Sequence, residues 1–205
     1  MKIIGLCGGS GSGKGTVAEL FSLYGIKSVD TDAVYRELTA TKTPCLDALV
    51  NEFGDEILSP LGALDRSKLR SIVFDSEDAK EKRTRLNEIA HKFILGKTRE
   101  ILEAYRQEGR LFSIVDAPLL FESGFNKECD FILCVLADKE QRILRIIKRD
   151  GLSREMAEQR IASQLSDEEL IKLSDFKITN NGDIQELKDS VDMIVEELTE
   201  KRKIQ

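Results

Sequence analysis

The chain has 205 residues, of which 41% are hydrophobic and 33% charged, values that are ordinary for a globular protein. Its net charge of −6 and its lack of tryptophan argue against nucleic-acid or anionic-lipid partners. No apolar run approaches the ~20 residues that span a bilayer. One histidine and four cysteines, without a Cys-x-x-Cys pair, argue against a zinc site and favour a reducing compartment. We therefore expect a cytoplasmic protein without membrane or nucleic-acid partners, with a monomer favoured.

A glycine-rich segment, Gly8–Thr16, stands between a short apolar run at residues 2–7 and apolar residues at helical spacing. Its GxxxxGK pattern ends at Lys14 and is typical of a P-loop in a strand–loop–helix context. Backbone N–H groups and the helix N-terminus bind phosphate there, and the lysine adds a positive charge. The alternative, a glycine-rich turn without a ligand, agrees less well with these flanks. We expect ATP to bind, with contacts from Gly11, Ser12, Gly13, Lys14, Gly15 and Thr16.

The residue after Lys14 departs from the usual P-loop, in which a Ser or Thr hydroxyl at that position binds Mg²⁺. Here that residue is Gly15, and the hydroxyl comes one position later, at Thr16. We expect Thr16 to meet a phosphate or to assist Mg²⁺ through water. Asp116 closes a later apolar run, at residues 111–115, in the manner of a Walker B acid, and is the second candidate for holding Mg²⁺. The alternative for Asp116 is a helix cap or a solvated loop residue.

Further short apolar runs predict strands at residues 26–30, 111–115, 131–136 and 176–179. Asp30 and Asp32 follow the first of these runs, at the strand end where ligands bind in open parallel sheets. One of the two can face a ligand, and Asp32 is also a candidate N-cap of the next helix. Asn181 and Gly182 follow the last strand, and their backbone is expected to touch an adenine.

The segment 36–110 is more charged and is predicted to be mainly helical. One helical stripe ends at Gly54, another helix is expected around residues 64–74, and a long amphipathic helix is expected at Ser76–Gln107. An insertion of this length between two strands predicts a helical lobe for a second substrate. His91 lies on the long helix, where a substrate contact and a partly exposed surface histidine are both open interpretations.

Residues 138–174 carry arginines on two predicted helices that are joined at Gly151. Arg145 and Arg149 are four residues apart and share a helix face. We expect a lid whose closure brings guanidinium groups onto a transferring phosphate. The alternative is a set of surface ion pairs with neighbouring acids.

In this order, the segments resemble the dephospho-coenzyme A kinase family over nearly the whole chain. The motifs that carry the resemblance are the P-loop, Asp30-Thr31-Asp32 with Arg36, residues 64–74, Asp116–Glu122, Arg145 to Gln164 and Asp175 to Gly182. The resemblance implies an α/β fold, a three-layer P-loop kinase core with a five-stranded parallel sheet, an inserted helical substrate lobe and a helical lid. The corresponding segments are 1–35, 111–137 and 175–205 for the core, 36–110 for the lobe and 138–174 for the lid.

The resemblance also implies transfer of the ATP γ-phosphoryl group to the ribose 3′-hydroxyl of dephospho-coenzyme A, with Asp32 as the base or orienter. The expected catalytic residues are Lys14, Asp32, Arg145 and Arg149. The expected substrate contacts are Asp32, Arg36, His91, Leu119 and Glu122.

Two departures from the family pattern leave alternatives open. Family members usually carry Lys-Ser-Thr where this chain has Lys14-Gly15-Thr16, and a proline usually follows the lobe histidine where this chain has Lys92. The glycine is closer to adenylate kinases, so a nucleoside monophosphate kinase is the first alternative. A nucleotide-dependent binding module is the second.

Overall fold

The computed structural model describes residues 1–40, 42–75 and 78–203. They form two compact units, which we call the core unit (Met1–Val29 and the chain from Ala104 onward) and the helical unit (Asp30–Glu103). The strands are β1 (Lys2–Cys7), β2 (Lys27–Asp30), β3 (Phe112–Asp116), β4 (Phe131–Leu136) and β5 (Phe176–Thr179). The helices are α1 (Lys14–Ser22), α2 (Thr31–Leu38), α3 (Pro44–Phe53), α4 (Arg66–Phe74), α5 (Ala79–Gln107), α6 (Lys139–Asp150), α7 (Arg154–Ala162), α8 (Asp167–Lys172) and α9 (Ile184–Lys203).

The strands form one five-stranded sheet in the order β2-β3-β1-β4-β5. β1 lies in its middle and pairs in parallel with β3 and β4, and β4 pairs in parallel with β5. The apolar runs of β1, β3 and β4 are almost continuously buried, as parallel strands covered on both faces must be. The predicted α/β fold with a five-stranded parallel sheet is confirmed.

Two helices pack against the sheet and hold the strand–loop–helix segment in place. Val17 and Phe21 of α1 are fully buried in the same cluster as Val191 and Leu198 of α9. Leu6 of β1 belongs to this cluster as well. Since burying such a side chain contributes about 1.5–3 kcal/mol, the packing fixes the N-terminus of α1 at the end of β1.

The helical unit has an apolar cluster of its own, built from α3, α4, α5 and a short 3₁₀ helix at Asp55–Ile57. Thr43 caps α3 by accepting a hydrogen bond from the N–H of Leu46 at 3.1 Å, and Gly54 ends the helix at φ 87°. The long helix is described from Ala79, and its predicted start at Ser76 lies outside the described residues.

The segment after β4 contains three helices, α6, α7 and α8, where two were expected. Ile143, Ile146 and Ala157 form a small buried cluster that joins α6 to α7. The additional helix, α8, begins with a capping box between Ser166 and Glu169. Among the described residues, no helix combines the length and apolar character that a membrane crossing requires.

Candidate nucleotide site

The loop between β1 and α1 has the backbone of a phosphate cradle. Gly11 and Gly13 have φ values of 78° and 98°, in the left-handed region that L side chains rarely adopt. A Cβ at Gly13 would lie 2.1 Å from Nδ2 of Asn180, so both the conformation and the packing require glycine there. Because α1 begins at the next residue, Lys14, its unsatisfied N–H groups and its dipole lie at the loop.

Two polar side chains of the loop are placed to meet a phosphate. Nζ of Lys14 donates to the carbonyl oxygen of Gly8 at 2.9 Å, so the ammonium group lies against the loop. Ser12 is 1% exposed, and its Oγ has no hydrogen-bond partner among the described residues. A buried hydroxyl in this state costs roughly 1–3 kcal/mol, which a phosphate oxygen can offset. Thr16 is half-buried on the first turn of α1, and Gly15 beside it is exposed.

Arg145, predicted as a lid arginine, contacts the loop itself. Its Nη1 donates to the carbonyl oxygens of Gly11 at 3.2 Å and Ser12 at 3.3 Å, and its Nη2 donates to that of Asn180 at 3.0 Å. Asn180 in turn donates from Nδ2 to the carbonyl oxygen of Ser12 at 2.8 Å. These bonds hold carbonyl groups of the loop without using its N–H groups, of which those of Ser10 and Ser12 donate to Gln164 and Gly9. The catalytic role of Arg145 stays a prediction.

Arg142 is a loop contact that sequence reasoning missed. Its side chain is buried, its Nε donates to the carbonyl oxygen of Ser10 at 3.0 Å, and its Nη1 pairs with Asp167 at 2.9 Å. A Cβ at Gly9 would lie 1.9 Å from Nη2 of Arg142. The sequence signal that could have identified this contact is the position of Arg142 next to Ile143, on the apolar side of α6.

Arg149 and its neighbours form ion pairs close to the surface. Nε of Arg149 pairs with Oδ1 of Asp150 at 2.8 Å, and Nη1 of Arg160 pairs with Oδ2 of the same carboxylate at 2.7 Å. Together the two guanidinium groups hold the pKa of Asp150 below its usual value. Arg154 pairs with Glu140. This pair agrees with the alternative that arginines of this segment form surface ion pairs with neighbouring acids.

The turn at residues 180–182 is fixed against the start of α6. Asn181 accepts a hydrogen bond at Oδ1 from the N–H of Asp138 at 2.8 Å and donates from Nδ2 to its carboxylate at 2.7 Å. Its carbonyl oxygen accepts from Nε2 of Gln141 at 3.1 Å. Gly182 is exposed beside it. The turn therefore borders the P-loop through Asn180, and its contact with adenine stays a prediction.

A pocket of about 270 Å³ opens next to the start of the loop, within the core unit. Its lining residues are Cys7, Gly8, Gly9, Pro118, Leu119, Leu120, Phe121, Glu122, Arg160, Ser163, Gln164, Leu165 and Leu170. Leu119 is 43% exposed and Glu122 is exposed, so both predicted substrate residues are accessible to a ligand. The pocket joins the P-loop to the segment after β3.

The residues present fit a nucleotide-bound Mg²⁺ ion, although no group of three or more His, Cys, Asp and Glu residues is assembled in the described part of the chain. Mg²⁺ in such sites takes one or two carboxylates and completes its shell with phosphate and water. Asp116 is the last residue of β3 and pairs in register with Leu6 of β1, just before the loop. Asp116 and the Thr16 hydroxyl are the oxygen donors that would hold the ion.

The helical unit carries the remaining predicted residues. Asp30, and not Asp32, is the N-cap of α2, because its Oδ1 accepts hydrogen bonds from the N–H groups of Asp32 at 2.8 Å and Ala33 at 3.0 Å. The alternative that Asp32 caps this helix is therefore wrong, and Asp32 is an exposed residue of the first turn. Nη2 of Arg36 lies 3.5 Å from Oδ2 of Asp30. His91 is half-buried on α5.

The parallel sheet and the glycine loop that leads from its middle strand into a helix define a nucleotide-binding protein of the P-loop class. The sequence model of the dephospho-CoA kinase family matches residues 2–186. A dephospho-CoA kinase of Fusobacterium nucleatum is 41% identical over 95% of this chain and 97% of its own length. One from Bacillus cereus is 38% identical over 94% and 95%. The chain belongs to the dephospho-CoA kinase family.

Solved structures agree with this assignment. The crystal structure of TT1252 from Thermus thermophilus has a TM-score of 0.78 and 30% identity over 96% of this chain and 97% of its own. Dephospho-CoA kinase from Campylobacter jejuni has a TM-score of 0.72 and 27% identity over 98% and 100%. A shikimate kinase from Acinetobacter baumannii, at 17% identity and a TM-score of 0.55, shares the fold.

Proposed function

We propose that this chain transfers the γ-phosphoryl group of ATP to the ribose 3′-hydroxyl of dephospho-coenzyme A, giving coenzyme A and ADP. The observation that carries the proposal is the adjacency of the P-loop and the pocket, which share Gly8 and Gly9. A phosphoryl donor on the loop and an acceptor in the pocket would meet without a covalent intermediate. Positioning and neutralisation of charge then supply most of the catalysis, as in other phosphoryl transfers.

The donor site is the loop and the residues that hold it. The N–H groups of residues 11–16 bind the phosphates, and the Lys14 ammonium group leaves its contact with Gly8 to neutralise charge on the transferring group. Arg145 and Arg149 act from the segment 138–174, which serves as a lid. The half-buried loop contacts of Arg145 support a role in shaping the phosphate site.

The adenine of ATP lies at the turn after β5, where backbone atoms of Asn181 and Gly182 contact it. The bonds of Asn181 to Asp138 and Gln141 support this placement, because they fix the turn before a ligand arrives.

The segment 36–110 serves as the substrate lobe. Asp32 accepts the hydrogen bond or the proton of the 3′-hydroxyl. Asp32 is exposed in the first turn of α2, and Asp30 caps this helix. Both observations support that role. The other substrate contacts are Arg36, His91, Leu119 and Glu122.

Asp116 and Thr16 would hold Mg²⁺, since Gly15 supplies no hydroxyl. The ion would supply positive charge that neutralises the phosphates during transfer. We further propose that the enzyme is monomeric and cytoplasmic. The four free thiols support the cytoplasmic compartment.

A side-by-side acceptor assay tests the proposed function. Release of ADP is measured with purified protein, ATP and Mg²⁺, with dephospho-coenzyme A, AMP or CMP as the acceptor or with none. We expect ADP release with dephospho-coenzyme A, together with a product heavier by one phosphate at the 3′ position. Phosphorylation of a monophosphate alone would favour the nucleoside monophosphate kinase. Equal hydrolysis without an acceptor would favour the binding module.

A further inference from the structure

The charged groups of the pocket are few and are unevenly placed. Of its lining residues in the described part of the chain, Glu122 carries a negative charge and Arg160 a positive one. Most of the remaining lining is glycine or apolar, as at Pro118, Leu119 and Leu165. Among the lining residues in the described part of the chain, Arg160 is therefore the side chain that can attract an anionic acceptor in a protein of net charge −6.

Arg160 is held in place and yet can reach a ligand. Its Nη1 pairs with Oδ2 of Asp150 at 2.7 Å, while the side chain is 46% exposed. A guanidinium group has five N–H donors in a rigid fork. A single carboxylate oxygen engages only some of them, so the others can donate to a ligand. Asp150 is also paired with Arg149, so its charge keeps a partner if Arg160 turns toward a ligand. The position can therefore bind an anion without leaving a carboxylate uncompensated.

The helix that carries Arg160, α7, is tied to the P-loop. Just after the helix, Oε1 of Gln164 accepts a hydrogen bond from the N–H of Ser10 at 2.8 Å. Ala157, in the middle of α7, is fully buried in the cluster with α6. Nε of Arg142, on α6, donates to the carbonyl oxygen of the same Ser10. The spacing between Arg160 and the loop is thus set by packing and by hydrogen bonds.

We propose that Arg160 is the anion-binding residue of the acceptor pocket and that it binds phosphate oxygens of the acceptor. The inference rests on the proposed function and adds the group that selects a phosphate-bearing acceptor. Arginine suits this task because its fork matches two phosphate oxygens at once and it stays charged at every relevant pH. Dephospho-coenzyme A carries a diphosphate. Arg160 would contact this diphosphate both in the substrate complex and in the transition state of the transfer. Uniform binding of this kind lowers KM and leaves kcat nearly unchanged.

The test compares Arg160 with Arg154, which offers a matched control. Both arginines lie on α7 and form ion pairs, Arg160 with Asp150 and Arg154 with Glu140 and Glu158, and their side chains are 46% and 49% exposed. In the described part of the chain, the lining includes Arg160 and not Arg154. Kinetics with dephospho-coenzyme A and with ATP are measured for Arg160→Gln, Arg160→Lys and Arg154→Gln at two salt concentrations.

We expect Arg160→Gln to raise the KM for dephospho-coenzyme A on the order of tenfold, with kcat and the KM for ATP nearly unchanged. Added salt should raise the KM of the wild type more than that of Arg160→Gln, since the variant has lost the screened attraction. Arg160→Lys should restore part of the affinity, and Arg154→Gln should match the wild type.

An unchanged KM in Arg160→Gln would overturn the inference, as would equal effects of Arg160→Gln and Arg154→Gln. A loss of kcat and thermal stability with an unaltered KM would assign Arg160 a structural role instead. Calorimetric titration of dephospho-coenzyme A into the same proteins measures the contact without turnover. Failure of the wild type to phosphorylate this acceptor would count against the proposed function, whereas equal dissociation constants would count against Arg160.

Discussion

At the scale of single residues, Asp30 and Asp32 differ in what their carboxylates do. Asp30 accepts hydrogen bonds from two N–H groups of α2 and lies 3.5 Å from Arg36. Asp32, two positions on, is exposed in the first turn of the same helix. Capping is therefore assigned to Asp30, and the carboxylate of Asp32 is available for the role proposed for it.

Replacing each aspartate with asparagine separates the two roles. Asp32→Asn removes the proposed proton acceptor and is expected to lower kcat by on the order of 10² or more, with little change in thermal stability. Asp30→Asn is the matched control, because asparagine is as good an N-cap as aspartate. Steady-state kinetics and thermal unfolding check both variants. Near-wild-type turnover of Asp32→Asn would remove Asp32 from the chemistry.

At the scale of elements, helix α8 supports the P-loop through a single carboxylate. Asp167, the first residue of α8, pairs with the buried guanidinium group of Arg142, which in turn donates to the carbonyl oxygen of Ser10. Removing one partner of a buried charge is costly, although the 44% exposure of the Asp167 side chain reduces the effect. The geometry of the loop thus depends on a helix far away in the sequence.

Asp167→Asn is expected to raise the KM for ATP several-fold and to lower the unfolding midpoint, because Arg142 loses its charged partner while still buried. Glu168→Gln makes the same change of charge at the next, exposed residue and should leave both quantities unchanged. ATP kinetics and thermal denaturation of the two variants provide the comparison. Identical behaviour of the pair would show that the ion pair does not support the loop.

The strands and the loop could be predicted from the sequence, whereas the contacts of the arginines could not. A parallel strand covered on both faces needs a continuous apolar run, and a phosphate cradle needs glycines in a fixed order, so both are local patterns. The partner of Arg142 on the loop is 132 residues away in sequence, and no local pattern records that pairing. Helix α8 was missed because it has only six residues, too few for a hydrophobic period.

At the scale of the whole molecule, buried thiols and a phenol make stability depend on alkaline pH. Burial raises the pKa of Cys45 to about 11, and that of Cys129 and Tyr35 to about 12. In contrast, a hydrogen bond with the Cys134 thiol lowers the pKa of Cys7. The raised groups stay protonated in the folded chain above the pH at which they ionise in the unfolded chain.

The free energy of unfolding should therefore fall as pH rises above about 9, the ordinary pKa of a thiol, because the folded state then binds more protons. In Cys129→Ser the residue at this position no longer ionises in that range, so the decline between pH 9 and about 12 should become shallower. Denaturant unfolding at a series of pH values measures both slopes. Parallel curves for the wild type and the variant would contradict the assignment.

The packing around Gly15 decides whether this P-loop can accept a hydroxyl side chain directly after Lys14. A Cβ built at Gly15, the second residue of α1, meets no atom within 4 Å. Packing therefore does not exclude a serine at this position, the residue that the family usually carries. A single Gly15→Ser exchange would therefore test whether a hydroxyl at this position changes the Mg²⁺ dependence of ATP binding.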